Sequence, residues 1–179
     1  MIGSFGSIPL SDEVIKWAKA QRKKDVKKKG YGHFKPQGAD EGYDGWWGKL
    51  GEVFVAAWAD HKGYRRELHG GFDKKPDIVI EGVEFGIKTT FNRGGYDKAR
   101  CLIPDQQIWH PWDYWLFVCI EEAPSRIHLV GACPPSYFLE VATGVKKGEV
   151  SWCQNDCHYL HSGSPHLLDP HFIVGIPGG

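Results

Sequence analysis

Apolar and polar residues alternate most regularly from Lys75 to Thr90. Ile78, Ile80, Val83, Phe85 and Ile87 fall on one side of an extended chain, and Asp77, Glu84 and Lys88 on the other. A period of two predicts strands, here Ile78 to Ile80 and Val83 to Thr89. Glu81-Gly82 between them is a glycine-containing two-residue turn of the hairpin type. That turn sets the register: Ile80 opposite Val83, Val79 opposite Glu84, Ile78 opposite Phe85 and Asp77 opposite Gly86.

Helical spacing marks two upstream stretches. Between Trp46 and His61, Leu50, Val53, Phe54, Ala57 and Trp58 form a stripe at i, i+3, i+4, i+7 and i+8, and Gly63 follows as a C-cap. Glu52 points away from the stripe, but Val55, Ala56 and Ala59 flank it there, so the helix is apolar nearly all round. A carboxylate on such a helix needs a partner, and a structural salt bridge would serve. Earlier, Ser11 caps an acid-led helix start in which Val14, Trp17 and Ala18 have helical spacing. This segment, about 11–30, then turns basic: Lys16, Lys19, Arg22, Lys23, Lys24, Lys27, Lys28 and Lys29 are offset by Asp25 alone.

Downstream, Asp113 to Glu121 encloses a continuous apolar run, the pattern of a central strand buried on both faces. Pro124-Ser125 predicts a turn, Arg126 to Cys133 the next strand, and Tyr137 to Ala142 a short helix opened by Pro134-Pro135-Ser136. A loop from Gly144 to Gly148 follows. Met1 to Leu10 reads as a loosely docked arm, Gly30 to Gly45 as a long turn-rich connection holding His33, Asp40, Glu41 and Asp44, and Tyr64 to Lys75 and Phe91 to Arg100 as links. In the tail, about 149–179, Tyr159-Leu160, Leu167-Leu168 and Phe172-Ile173-Val174 would supply an edge strand and packing.

Composition narrows the setting. A chain of 179 residues reads as one domain, able to bury roughly two-thirds of its unfolded surface without staples. Net charge is +0, so attraction to nucleic acid would have to be local. Five cysteines, an odd number widely spread, and no secretion signal fit a reduced cytoplasmic protein. No apolar run approaches the ~20 residues of a membrane helix. The 24 aromatic residues (8 Trp, 7 Tyr, 9 Phe) mostly adjoin Gly, Pro or His and read as packing at element ends.

The hairpin carries the candidate chemistry. An Asp77 carboxylate and a Lys88 ammonium on adjacent strands, beside the side-chain-free Gly86, suit phosphodiester hydrolysis: the acid can hold a hard divalent cation, and the lysine can orient water or steady phosphate charge. A solvated charged face gives the same pattern. Clustered cations, namely Arg22, Lys23, Lys24, Lys27 and Lys28 with Arg65, Arg66 and Arg93, are the candidate contacts to a nucleic-acid backbone. Cys153, Cys157, His158, His161, His166 and His171 crowd the tail, but their spacing fits neither tight Cys nor tight His pairs, which argues against structural zinc.

Pro76-Asp77, the stretch Gly86-Ile87-Lys88-Thr89-Thr90 and the helical pair Gly51-Glu52 together resemble the PD-(D/E)XK nuclease superfamily, over roughly residues 46–142. The resemblance implies an α/β protein with a restriction-endonuclease-like central mixed β-sheet flanked by helices. It implies a metal-dependent DNA endonuclease or exonuclease using Mg²⁺, with Mn²⁺ as the substitute, and leaves room for a homodimer. Asp77, Glu52 and Lys88 would be catalytic, with Asp77 and Glu52 as metal ligands. One position departs: Gly86 stands where the family has its second acid. Either Glu52 or Glu84 takes over that role, or the copy is an impaired DNA-binding protein on the same scaffold. Glu84 lies two residues away, about 7 Å at strand rise, and ranks below Glu52.

Overall fold

Where both turn residues adopt positive φ, the chain can reverse in two residues with the twist a hairpin needs. Glu81 (φ 50) and Gly82 (φ 85) do so. They join β3 (Ile78–Ile80) to β4 (Val83–Asn92) in the predicted register, Ile80 with Val83, Val79 with Glu84 and Ile78 with Phe85. Strand β4 continues past the expected end at Thr89. The computed structural model describes residues 5–29, 46–69, 75–92, 95–122, 125–150 and 155–175, with the side chains of 21–29 and 46 outside that description.

The hairpin belongs to a mixed six-stranded sheet ordered β1-β7-β6-β4-β3-β2, where β1 is Gly6–Pro9, β2 Arg66–Leu68, β6 Tyr114–Glu121 and β7 Arg126–Cys133. Strands β4 and β6 pair in parallel and the other described neighbours are antiparallel. A second sheet, β5-β9-β8, is built from β5 (Arg100–Pro104), β8 (Thr143–Val145) and β9 (Cys157–His161). Among the described residues there are four α-helices: α1 (Asp12–Lys29), α2 (Trp46–His61), α3 (Pro135–Val141) and α4 (Pro170–Gly175). The architecture is α/β, and no described helix is long and apolar enough to cross a membrane.

Strand β6 is buried on both faces, as its unbroken apolar run predicts. Leu116, Val118 and Ile120 join Ile78, Ile80, Phe85 and Ile87 in one core, closed by Leu50, Phe54 and Val55 of α2. Trp115, Phe117 and Cys119 join a second core with Cys101 and Ile103 of β5, Leu160 of β9 and Phe138 of α3. Fully burying each such large apolar side chain stabilises by about 1.5–3 kcal/mol.

Helix α2 lies close on β4 because Gly51 has no side chain. A Cβ there would fall 3.1 Å from Thr89 Cβ and collide with its hydroxyl. The helix ends in a Schellman turn: Gly63 (φ 76) and Tyr64 donate their N–H groups to the Asp60 and Ala59 carbonyls, both at 3.0 Å, and Tyr64 packs on Trp58.

Several expectations are corrected. Within the N-terminal stretch, Gly6–Pro9 forms an edge strand, β1, because antiparallel bonds to β7 hold its backbone despite the Gly/Ser-rich sequence. The link from Tyr64 to Lys75 contains β2, β5 starts at Arg100 where the link from Phe91 ends, and β8 overlaps the start of the loop expected from Gly144 to Gly148. Strand β9 is the middle strand of its sheet, not an edge. The buried side of α2 runs through Leu50, Phe54, Val55 and Ala59 while Ala57 is exposed, since contact with both α1 and the sheet rotates the apolar face. The connection at 30–45 lies outside the described residues.

Candidate active site at the β3–β4 hairpin

Asp77 stands where β3 begins, one residue beyond the last hairpin pair, and its main-chain carbonyl accepts the His69 N–H at 3.0 Å. Its side chain turns across the hairpin, so that Oδ2 accepts the Ile87 N–H at 2.6 Å. Burial pushes the Asp77 carboxyl above its ordinary range, while the Ile87 N–H and the positive fields of Lys88, His110 and Lys49 pull it down. Oδ1 accepts no bond from a described residue.

Lys88 leaves β4 on the same face as Gly86, because successive side chains alternate. Its Nζ donates to Gln107 Oε1 at 2.5 Å and lies 4.8 Å from the centre of a Trp115 ring. Burial lowers its pKa, opposed by the negative charges of Asp77 and Glu52. Lys88 thus lies within the fields of both carboxylates, one from the hairpin and one from α2.

Glu52 also pairs with Lys49, Nζ to Oε2 at 3.1 Å, one helical turn away. Both side chains are about four-fifths covered, with exposures of 24% and 20%, so the expected partner for this carboxylate exists. The position of Gly86 is closed. A Cβ there would sit 2.5 Å from Trp112 Cδ1 and 2.7 Å from Trp115 Cε3, so no acid can project from it. Glu84, two residues back on the same face, is half-buried, and its backbone is tied to Asp113: Glu84 N–H to Asp113 Oδ2 at 2.9 Å and Asp113 N–H to the Glu84 carbonyl at 3.1 Å.

Three groups at this centre escape a reading of the sequence. Lys49 shares the apolar helix with Glu52 and carries no motif. Gln107 and His110 belong to the segment between β5 and β6, which the parallel β4–β6 crossover carries back over the hairpin. His110 stacks on Trp112 at 5.1 Å and 7°; burial and Lys88 lower its pKa while Asp77 raises it. Trp112 lies just before β6 and Trp115 within it, and nothing in the sequence says that they cover Gly86.

The remaining expected contacts lie elsewhere. Arg65 binds Glu81 at the opposite end of the hairpin, with Nη2 to Oε2 at 3.0 Å, and Arg66 forms a two-pronged pair with Asp60 at 3.0 and 2.7 Å. Both arginines already serve carboxylates away from Asp77. The backbone of α1 is helical through Lys29, but the side chains of Arg22, Lys23, Lys24, Lys27 and Lys28 lie outside the described residues, as does Arg93. In the tail, His158 pairs with Asp105 at 2.8 Å, His166 with the Tyr137 hydroxyl at 2.8 Å and His171 with the Tyr64 hydroxyl. The histidines go to separate partners, and Cys153 is outside the description.

Among the described residues no group of three or more His, Cys, Asp or Glu gathers as a metal cage. Asp77 and Glu52 are the oxygen donors this centre offers, and a cation that keeps most of its waters needs no more than one or two carboxylates from the protein. Two acids near a half-buried ammonium would suit a divalent cation and an anionic, phosphate-like group. No protein-family model matches the chain, and comparison with curated proteins finds no match.

Proposed function

We propose that this protein is a metal-dependent deoxyribonuclease that hydrolyses phosphodiester bonds where Asp77, Glu52 and Lys88 converge. One observation carries the reading: Asp77, held by the Ile87 N–H at 2.6 Å, and the half-buried Lys88 flank one hairpin, with the Glu52 carboxylate of α2 near enough to oppose the lowering of the lysine's pKa. The order Gly51-Glu52, Pro76-Asp77, Lys88 and its similarity to the PD-(D/E)XK nuclease superfamily support it, with Glu52 in place of the acid that Gly86 lacks. Four free, buried cysteines suit a reducing, cytoplasmic setting.

Asp77 and Glu52 would hold Mg²⁺, which fits their hard oxygen donors. When bound, the ion supplies Lewis-acid stabilisation of the phosphate and a more acidic water. Asp77 is fixed for this by the Ile87 N–H, which leaves Oδ1 to the ligand. Lys88 steadies the charge that grows on the phosphate oxygens as water adds to phosphorus and the P–O bond to the leaving strand breaks. The Trp112 and Trp115 rings over Gly86 keep water from one side of the centre.

The experiment is cleavage of a mixed set of duplex, branched and single-stranded DNA with Mg²⁺, Mn²⁺ or EDTA. Cleavage that needs the metal and disappears in Asp77→Ala supports the reading; cleavage that survives either change removes it. A second reading, a DNA-binding protein without turnover, draws on Lys88 itself, whose bond to Gln107 and place over Trp115 are what a structural lysine would make. DNA binding with no cleavage under any metal would favour it.

A further inference from the structure

Most large aromatic side chains of the described residues are at least half-buried, but Trp109 is 77% exposed. It stands on a turn that is held at every other position. The Gln107 carbonyl accepts the His110 N–H at 3.2 Å, closing a four-residue reversal from Gln107 to His110. Ile108 at the second position is helical (φ −65, ψ −24) and only 2% exposed, seated in the second core. Gln107 is bonded to Lys88, and His110 is stacked on Trp112. The third position, Trp109, is therefore a bare indole on a rigid support two residues from the group that touches Lys88.

We infer that Trp109 is a stacking platform for an unpaired nucleobase of the strand whose phosphate reaches Asp77 and Lys88. A lone exposed apolar side chain carries no message, but this indole is continuous with a recess beside it, and ring and recess together make a surface for a flat partner. Beside the ring lies a recess of about 160 Å³ lined by Ile108, Trp109, His110, Pro135, Ser136 and Leu139. Lined mostly by apolar side chains, with polar groups at His110 and Ser136, it can receive the edge of a flat heterocycle. A base paired in a duplex presents no free face, whereas an unpaired base can leave its neighbours and lie on indole. The occupant is thus a single-stranded, flipped or branched nucleotide.

This inference rests on the nuclease reading for its substrate, but binding tests it without turnover. The full-length protein carrying Asp77→Asn is titrated with a labelled single strand of about 12 nucleotides, within the site sizes of single-strand binders, and with its blunt duplex. Adding Trp109→Ala should weaken the single strand about 5- to 150-fold, the range for losing one stacked base, and leave the duplex unchanged. Trp109→Phe should restore most of the affinity. Strands lacking one base at a time should show a single sensitive position in the parent and none in Trp109→Ala. If that pattern appears and no DNA is ever cut, the stacking site stands and the nuclease reading falls. Equal single-strand affinity with and without Trp109, an equal loss for duplex, or a concentration-dependent dimer that Trp109→Ala dissolves would each overturn the inference, the last by assigning the indole to self-association.

Discussion

Gly86 on β4 lies directly across the parallel ladder from Trp115 on β6, and the indole fills the space that a side chain at Gly86 would need. Replacing Gly86 with Glu is therefore not a repair of a missing ligand. Gly86→Glu should destabilise the fold by at least about 1–3 kcal/mol through overpacking. At roughly 2–4 °C per kcal/mol in a domain of this size, thermal melting would register it clearly. An unchanged melting temperature with tighter Mg²⁺ binding would show that the tryptophans do not close this position.

What could be read from the sequence divides along physical lines. The β3–β4 register follows from a two-residue turn and strict alternation, both local, and β7 matches its expected bounds, Arg126–Cys133. The second sheet was not legible, because β5, β8 and β9 are short and carry Pro104, Gly144 and two histidines in place of an apolar alternation. Pairing at long range creates them. The same divide runs through the site: Asp77, Lys88 and Glu52 stand in recognisable local patterns, whereas Gln107, His110 and the tryptophan cover over Gly86 depend on a crossover no local pattern encodes.

Stability against pH should carry the signature of Asp77. Burial holds its carboxyl above the ordinary 3.8, so the folded protein keeps that proton longer than the unfolded chain. The unfolded state then binds fewer protons between the two values, and stability falls as pH rises through that window. Asp77→Asn keeps an acceptor for the Ile87 N–H and removes the titration. In urea unfolding, wild type should lose ground to Asp77→Asn as pH climbs from about 4 through the raised value, with a constant difference above it. A difference that moves the other way would mean that ion pairing, and not burial, governs this carboxylate.

Lys88 separates enzyme from inert scaffold. Lys88→Met keeps the length of the side chain and removes the charge. Single-turnover cleavage should fall about 10²–10³-fold, the usual effect of deleting a group that stabilises developing charge, while DNA affinity changes little. A structural lysine behaves oppositely: normal turnover per folded molecule with a lower melting temperature would take it out of the mechanism.

The basic helix α1 is independent of the chemistry. Neutralising Lys23, Lys24, Lys27 and Lys28 together should weaken binding to all DNA sequences and reduce the steepness of the salt dependence by close to one unit for each phosphate that the helix no longer neutralises. Equal affinity and an equal salt slope would leave the run as a solvated helix face.

Whether Glu52 supplies the acid that Gly86 cannot is decided by one comparison. Single-turnover DNA cleavage in Mg²⁺ is measured for wild type, Asp77→Asn, Glu52→Gln and Glu84→Gln, each isosteric and each checked for folding. The predicted result is cleavage by wild type and Glu84→Gln, with Asp77→Asn and Glu52→Gln at the metal-free background. Wild-type rates in Glu52→Gln, or a loss confined to Glu84→Gln, would contradict the assignment of α2 to the active centre.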